Sequence, residues 1–285
     1  MGYFARCCVL SVSVSLIGAL AGCERGAILD FSGENGGANS ENTTILTMFS
    51  GPSPLQAVEW ASDTQDPDRR VRGTLLLANA PWGGEDVYLR LYRSHIEDED
   101  AGVRAVAIRA LSLHGTPDDV PVIIEQLDNG NDVVREEASR ALQRLHARGA
   151  IVPLLRHSDI RDEDNWKVRQ YSAVALGQYA ERRVIDRLID AMNDRELSVN
   201  RAAHRSLKIL TGQDFGFEAR TWLAWVNDSP DVFAGRGVYE YPVFHRDPNI
   251  FEKVMPWMEV PNELAASPVG MERVVTARDG NAESQ

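Results

Sequence analysis

The stretch Asp100-Ala101-Gly102-Val103-Arg104-Ala105-Val106-Ala107-Ile108-Arg109-Ala110-Leu111 carries the signature of one packed helix. Counted from Val103, Ala107 stands four positions on, Ala110 seven and Leu111 eight, so all four share one helical face. Its small residues let another helix approach closely, and Val and Leu supply the apolar burial. The same register returns at Val71, Val134, Val168 and Val199, with successive steps of 32, 31, 34 and 31 residues along the five. At the fourth position come Leu75, Ala107, Ala138, Ser172 and Ala203, and at the eighth Asn79, Leu111, Leu142, Leu176 and Leu207. Five matches in register make an internal repeat.

An acidic turn precedes each Val: Asp66-Pro67-Asp68, Asp98-Glu99-Asp100, Asp128 with Asp132, Asp162-Glu163-Asp164, and Asp194. Asp accepts the unpaired N–H groups of a helix start, so these turns are expected to cap the helices that follow. Second apolar segments lie between them at Asp86–Ile96, Val120–Leu127, Ile151–Leu155 and Val184–Met192, with Gly115-Thr116-Pro117-Asp118 and Gly149 breaking the chain. Each unit is thus helix–turn–helix, and such a hairpin covers its apolar face only by stacking on its neighbours.

The pattern Asp-x-x-Val-Arg-x-x-Ala-x-x-Ala-Leu of Asp100–Leu111 resembles HEAT repeats, including the short variety of phycobilisome-lyase-like proteins, over about residues 66–212. The resemblance implies an all-α, right-handed α-solenoid of about five helical hairpins. It also implies a polar ladder of helix arginines, Arg72, Arg104, Arg135 and Arg169, with Asp68, Asp100, Asp132 and Asp164 as candidate partners. The fifth repeat departs, with Asn200 in the arginine position. Leu210–Gly216, Trp222 and Trp225, together with Asn79–Glu85, are similar to planctomycete HEAT-repeat lipoproteins, a likeness that implies no particular reaction.

The N-terminus reads as an address. Residues 7–19, CCVLSVSVSLIGA, form an apolar run behind Arg6, too short to span a bilayer and right for a secretory signal. It ends in Leu20-Ala21-Gly22-Cys23, which looks like a bacterial lipobox, implying cleavage after Gly22 and lipidation of Cys23. Several acyl chains anchor stably where one does not. The expected organisation is a signal peptide at 1–22, a tether at 23–52, the solenoid at 53–227, a C-terminal extension at 228–275 and a polar tail at 276–285. Residues 24–44 are rich in Gly, Asn, Ser and Glu, with a reach of about 25 Å as a flexible chain. The expected location is the bacterial cell envelope, on a membrane facing the periplasm or the exterior.

Function is read mainly by exclusion. A net charge of −12 and scattered arginines argue against nucleic acid, which needs a basic face. All three cysteines lie in the first 23 residues, leaving no thiol for metal, redox or disulfide chemistry beyond them. No His is followed by Glu, so the His-Glu iron ligands of deoxyhypusine hydroxylases, themselves HEAT-repeat enzymes, are missing. Asp214-Phe215-Gly216 is similar to the magnesium-binding triplet of protein kinases, but the glycine-rich loop, strand lysine and His-Arg-Asp loop are not present. His114, His146 and His204 stand late in first helices, where structural roles are expected. Neither enzyme activity, metal nor cofactor is expected.

The expected role is protein–protein interaction, with Tyr88, Tyr92, Arg93, Gln126, Arg156, Arg187 and Asp190 of the second helices near the binding surface. Ten of the 21 aromatics fall in residues 215–257, and six prolines between Pro230 and Pro268 prevent a long helix there. This extension is expected to fold back over the last repeat, its alternative role being to present exposed aromatics to a partner. Two further readings stand beside the scaffold: a lyase-like or other enzyme using a pocket between solenoid and extension, and a structural spacer without a stoichiometric partner.

Overall fold

The computed structural model describes residues 53–243 and 263–272. The signal segment 1–22, Cys23, the tether 23–52, the tail 276–285 and the middle of the extension, including Phe244 and Trp257, lie outside the described residues. After a leading helix α1 (Pro54–Ala61) come five helical pairs: α2 (Pro67–Ala78) with α3 (Asp86–His95), α4 (Ala101–His114) with α5 (Val120–Glu125), α6 (Asp132–Ala141) with α7 (Ile151–His157), α8 (Trp166–Leu176) with α9 (Arg182–Ala191), and α10 (Leu197–Thr211) with α11 (Ala219–Asp228). The fold is an all-α solenoid of paired helices.

The five repeat valines fall one in each first helix, and Val103, Val134, Val168 and Val199 are fully buried. First helices pack directly along the row, α2 on α4, α4 on α6, α6 on α8 and α8 on α10, while successive second helices touch sparingly. The reason is side-chain size. Ala107, Ala110, Ala138, Ala141, Ser172, Ala175, Ala203 and Ser206 line the first-helix contacts, and all are buried. At the N-terminal end the approach is closer still: a Cβ on Gly73 would stand 2.8 Å from Ala61 Cα of α1. One continuous core runs from Ala57 to Val232, with each fully buried Val, Leu or Ile contributing about 1.5–3 kcal/mol.

Asp66 caps α2 through the Asp68 and Arg69 N–H groups, and Asp100 caps α4 through Val103 N–H at 3.0 Å. The next two caps are asparagines, Asn131 on Val133 N–H and Asn165 on Lys167 N–H, each at 2.9 Å. The expected Asp caps of those repeats are corrected accordingly: Asp132 is already inside the first turn of α6, and Asp162 and Asp164 precede the cap.

Trp222 of α11 is fully buried, its indole N–H on Gly216 C=O at 2.9 Å and Phe215 edge-on to it, which closes the last pair. The described extension packs on the end of that pair and also continues past it. Gly212 ends α10 at φ +70°, and Gly235 packs directly on it, where neither position has room for a side chain. The chain returns across the ends of earlier first helices. Gly237 N–H bonds Ile209 C=O at 2.7 Å, Arg236 reaches Gln178 C=O at 2.8 Å, and Val269 exchanges two backbone bonds with Arg144 and His146, each 2.8 Å. Gly270 stands against Pro117 of the second pair. The described parts of the extension therefore run backward along the edge of the solenoid, because their unpaired backbone groups find partners at the helix ends.

Candidate functional site

A polar ladder stitches the first helices together, one register away from the expected one. Arg135 donates to Glu163 through Nε at 2.9 Å and Nη2 at 3.0 Å, and to its own turn at Asn129 C=O. Arg169 meets both oxygens of Asp194, at 2.7 and 3.0 Å, and the carbonyls of Glu163 and Asp164. The carboxylates are those five positions before each repeat Val: Asp98, Glu163 and Asp194. The expected partners do other work. Asp100 is a cap, Asp132 reaches Arg135 only within its own helix, and Asp164 offers its backbone carbonyl. Asp68 lies exposed in the first turn of α2.

Two rungs differ. Asn129 stands where the acid belongs opposite Arg104, which is held by the Asp98 and Glu99 carbonyls alone. In the first repeat Arg70, not Arg72, takes Asp98 at 2.9 Å, while Arg72 lies over the Trp60 ring at 5.7 Å. Burial tends to raise the Asp98 and Glu163 pKa values. At Asp98 it is outweighed by the Arg70 hydrogen bond, the Asp100 N–H and the Arg70 charge together, and at Glu163 the His157, Arg135 and Asn165 hydrogen bonds with the Arg135 charge bring the pKa to about 2.

A second ladder, absent from the sequence reading, joins the second helices through Arg156 to Asp128 and Arg187 to Asp159. The Arg161 hydrogen bond, with Arg187, holds Asp159 at about 2 against the effect of burial. His157, buried, lies 3.2 Å from both Asp128 and Glu163 and so bridges the two ladders. A spacing of 28 residues between each acid and its arginine was the available signal, but short second helices hid it.

The proposed contact residues are scattered by burial. Tyr92 is fully enclosed with its hydroxyl on Gly83 C=O at 3.1 Å, so it belongs to the core and is withdrawn from the surface set. Tyr88 packs on Trp82 at 5.2 Å between ring centres. Arg93 holds Asp119 at 2.6 and 3.1 Å, Gln126 accepts from Asn129, and Arg187 is tied to Asp159. Arg156 and Asp190 remain substantially exposed. The second helices also present Val87, Pro121, Val152 and Arg183, each at the second residue of its helix and each exposed.

A cleft of about 580 Å³ lies between the third and fourth repeats and the returning extension, with His146, Arg148, Gln178, Tyr179, Arg236 and Met271 among its walls. His146 stacks on Tyr179 at 4.9 Å, and its Nδ1 lies 3.1 Å from Gln178 Oε1. The Gln178 side-chain amide donates to Leu142 C=O at 2.7 Å, and Tyr179 hydroxyl to Ala147 C=O at 3.1 Å, fixing this wall. Burial lowers the His146 pKa and raises that of Tyr179 to about 12.

Asp214 accepts from Gly216 N–H and pairs with His204 and Lys208, which hold it well below the usual carboxylate range, so the Asp-Phe-Gly triplet ties a loop to α10. Among the described residues no group of three His, Cys, Asp or Glu side chains could hold a metal, and no helix is long and apolar enough to cross a membrane.

Residues 57–143 match the family model of HEAT repeats, and residues 168–194 match that of the PBS lyase HEAT-like repeat. No curated protein matches significantly. Similar solved structures include YibA of Escherichia coli, 22% identical, TM-score 0.44, covering 55% of this chain and 59% of that one. A designed armadillo repeat protein is 12% identical, TM-score 0.45, covering 62% and 93%. The complex of CpcE and CpcF of phycocyanin lyase from a Nostoc species is 18% identical, TM-score 0.39, covering 62% and 82%. The chain thus spans somewhat over half the length of the YibA structure. The matched segments, 57–143 and 168–194, are similar to HEAT and PBS lyase HEAT-like repeats, and the fold is an all-α, HEAT-like helix-repeat solenoid.

Proposed function

We propose that this chain is a protein-interaction scaffold, held at the bacterial cell envelope by lipidation of Cys23, and that it is not an enzyme. The observation that supports this most is the surface of the second helices. Val87, Pro121, Val152 and Arg183 recur at one helical position and are exposed, although neighbouring side chains are committed to the ladders or the core. A repeating exposed row of this kind is how stacked-helix proteins present an extended binding surface. Exposure is 52% for Val87 and 59% for Val152, more than buried packing would leave and suited to apolar contact with a partner. The anchor rests on Leu20-Ala21-Gly22-Cys23 behind its apolar run.

The test is in-cell crosslinking and capture of the tagged chain beside Cys23→Ala and Val87→Glu/Val152→Glu versions. One stoichiometric protein partner, reduced by removing the anchor and lost with the two Glu substitutions at unchanged helicity, is the expected result. Recovery of the same partner from the Val87→Glu/Val152→Glu chain would place the interface elsewhere. Capture of nothing by any version would favour the spacer. A Cys23→Ala chain that still partitions with membranes would remove the lipid anchor.

A further inference from the structure

Arginine burial in this chain follows a rule with two exceptions. Among the buried and half-buried arginines, Arg70, Arg135, Arg140, Arg144, Arg169 and Arg187 each meet a carboxylate of the described residues. Arg104 and Arg236 do not. Arg104 is explained by Asn129 in its rung and is satisfied by two carbonyls. Arg236 is different because it lines the cleft. Among the described residues its one hydrogen bond is from Nη2 to Gln178 C=O, its Nε is enclosed without a partner, and burial lowers its pKa. Guanidinium stays protonated under all ordinary conditions, so a half-buried cation lines the cavity in contact with no carboxylate of the described residues.

The rest of the cleft defines what would fit. Arg148 stands at its mouth, 84% exposed and only loosely paired with Glu181 at 3.4 Å, while Glu181 is held more closely by Arg183 at 2.7 Å. Ile151, Ala147, Ala180 and Met271 add apolar lining and the His146–Tyr179 stack an aromatic face, while Glu272, exposed, and Glu181 also line the cleft without meeting Arg236. The wall is preorganised, since Gln178 and Tyr179 are each tied to backbone carbonyls of the preceding repeat. A planar guanidinium recognises carboxylate through parallel N–H bonds.

We infer that this cleft is a binding site for a small monocarboxylate with an apolar or aromatic body, Arg236 taking the carboxylate and the apolar and aromatic lining taking the body. The site borders the exposed row at Ile151 and Glu181, beside Val152 and Arg183, but small-carboxylate binding is read without protein capture, so it survives or fails independently of the scaffold.

The test is isothermal titration calorimetry of the full chain with benzoate and hexanoate, beside benzamide and hexanamide as uncharged counterparts and inorganic phosphate as an anion without an apolar body. Saturable 1:1 binding of a carboxylate, at least about ten-fold tighter than of its amide, is expected, because a hydrogen bond to a charged group contributes that much. Arg236→Gln loses the preference for carboxylate over amide, and Arg236→Lys keeps part of it, with melting temperatures recorded for both. Arg148→Gln, at the mouth, lowers affinity without removing the preference. No saturable carboxylate binding at millimolar concentration, equal binding of the amides, phosphate binding as tightly, or an unchanged Arg236→Gln would each overturn the assignment.

Discussion

Replacing Arg169 by Met separates the energy of a buried ion pair from that of ordinary repeat packing. The Arg169 side chain is fully enclosed, and its four hydrogen bonds reach both oxygens of Asp194 and the carbonyls of Glu163 and Asp164. Met fills much of the volume and donates nothing. Asp194, only 2% exposed, then keeps a negative charge answered by little besides the Glu196 N–H at 2.9 Å. Stranding one member of such a pair costs about 3–5 kcal/mol. Arg104 supplies the control. It occupies the same repeat position but bonds only carbonyls, so Arg104→Met orphans no charge and costs about 1–2 kcal/mol. The double variant Arg169→Met/Asp194→Leu removes the stranded carboxylate and recovers most of the loss. Urea unfolding followed by circular dichroism measures all three, with amide exchange in α8 and α10 showing how far the effect spreads between neighbouring repeats. An Arg169→Met chain no less stable than Arg104→Met, or a double variant as unstable as the single, would refute the reasoning.

Acid should act on the same ladder. Glu163 has its pKa depressed to about 2, so its stabilising contribution is complete above the unfolded value of about 4.3 and is lost as pH falls toward 2; Glu163→Gln is expected to flatten the stability-versus-pH curve in that window while lowering stability at neutral pH. Gly73→Ala brings a methyl against the backbone of α1 and is expected to cost about 1–3 kcal/mol, read as early exchange of amides in α1 before the rest of the solenoid. Arg144 pairs with Glu263 and lies 4.5 Å from the Tyr241 ring centre, so Arg144→Ala is expected to speed exchange of the Val269 amide at least about ten-fold and to expose the extension to protease, with helicity unchanged.

The repeat was legible because helix packing leaves a short-range trace. Val103, Ala107, Ala110 and Leu111 must share a face whatever surrounds them, and five copies in register left no alternative. The ladder was half legible. Arginine at the position after four of the five repeat valines was visible, but its acid lies in the next repeat, and turns crowded with Asp and Glu offered several choices that differ by one to three residues. Only the turn geometry selects Asp98, Glu163 and Asp194. Tyr92 illustrates the limit on the second helices: a tyrosine suits an interface and a core equally, and its hydroxyl found Gly83 C=O inside. The cleft was beyond reach for a simpler reason. Arg236 and Met271 meet Gln178 and His146 through a backward return of the chain that no periodicity encodes.

The proposed sites would separate stability from binding within one molecule. The two ladders consume the charged residues nearest the helix ends, so Arg135, Arg169 and Arg187 are bound to their acids and cannot also serve a partner without breaking the stack. On the proposed reading, recognition falls to what packing has no use for: the exposed second position of the second helices, and the cleft arginine that meets no acid among the described residues. Nearest-neighbour stacking makes this division robust, since a substitution on the exposed row disturbs no interface between repeats, whereas a change in a rung disturbs the one it bridges. Variants of Val87 or Val152 should therefore alter capture at constant stability, and variants of Arg169 should alter stability before any binding is lost.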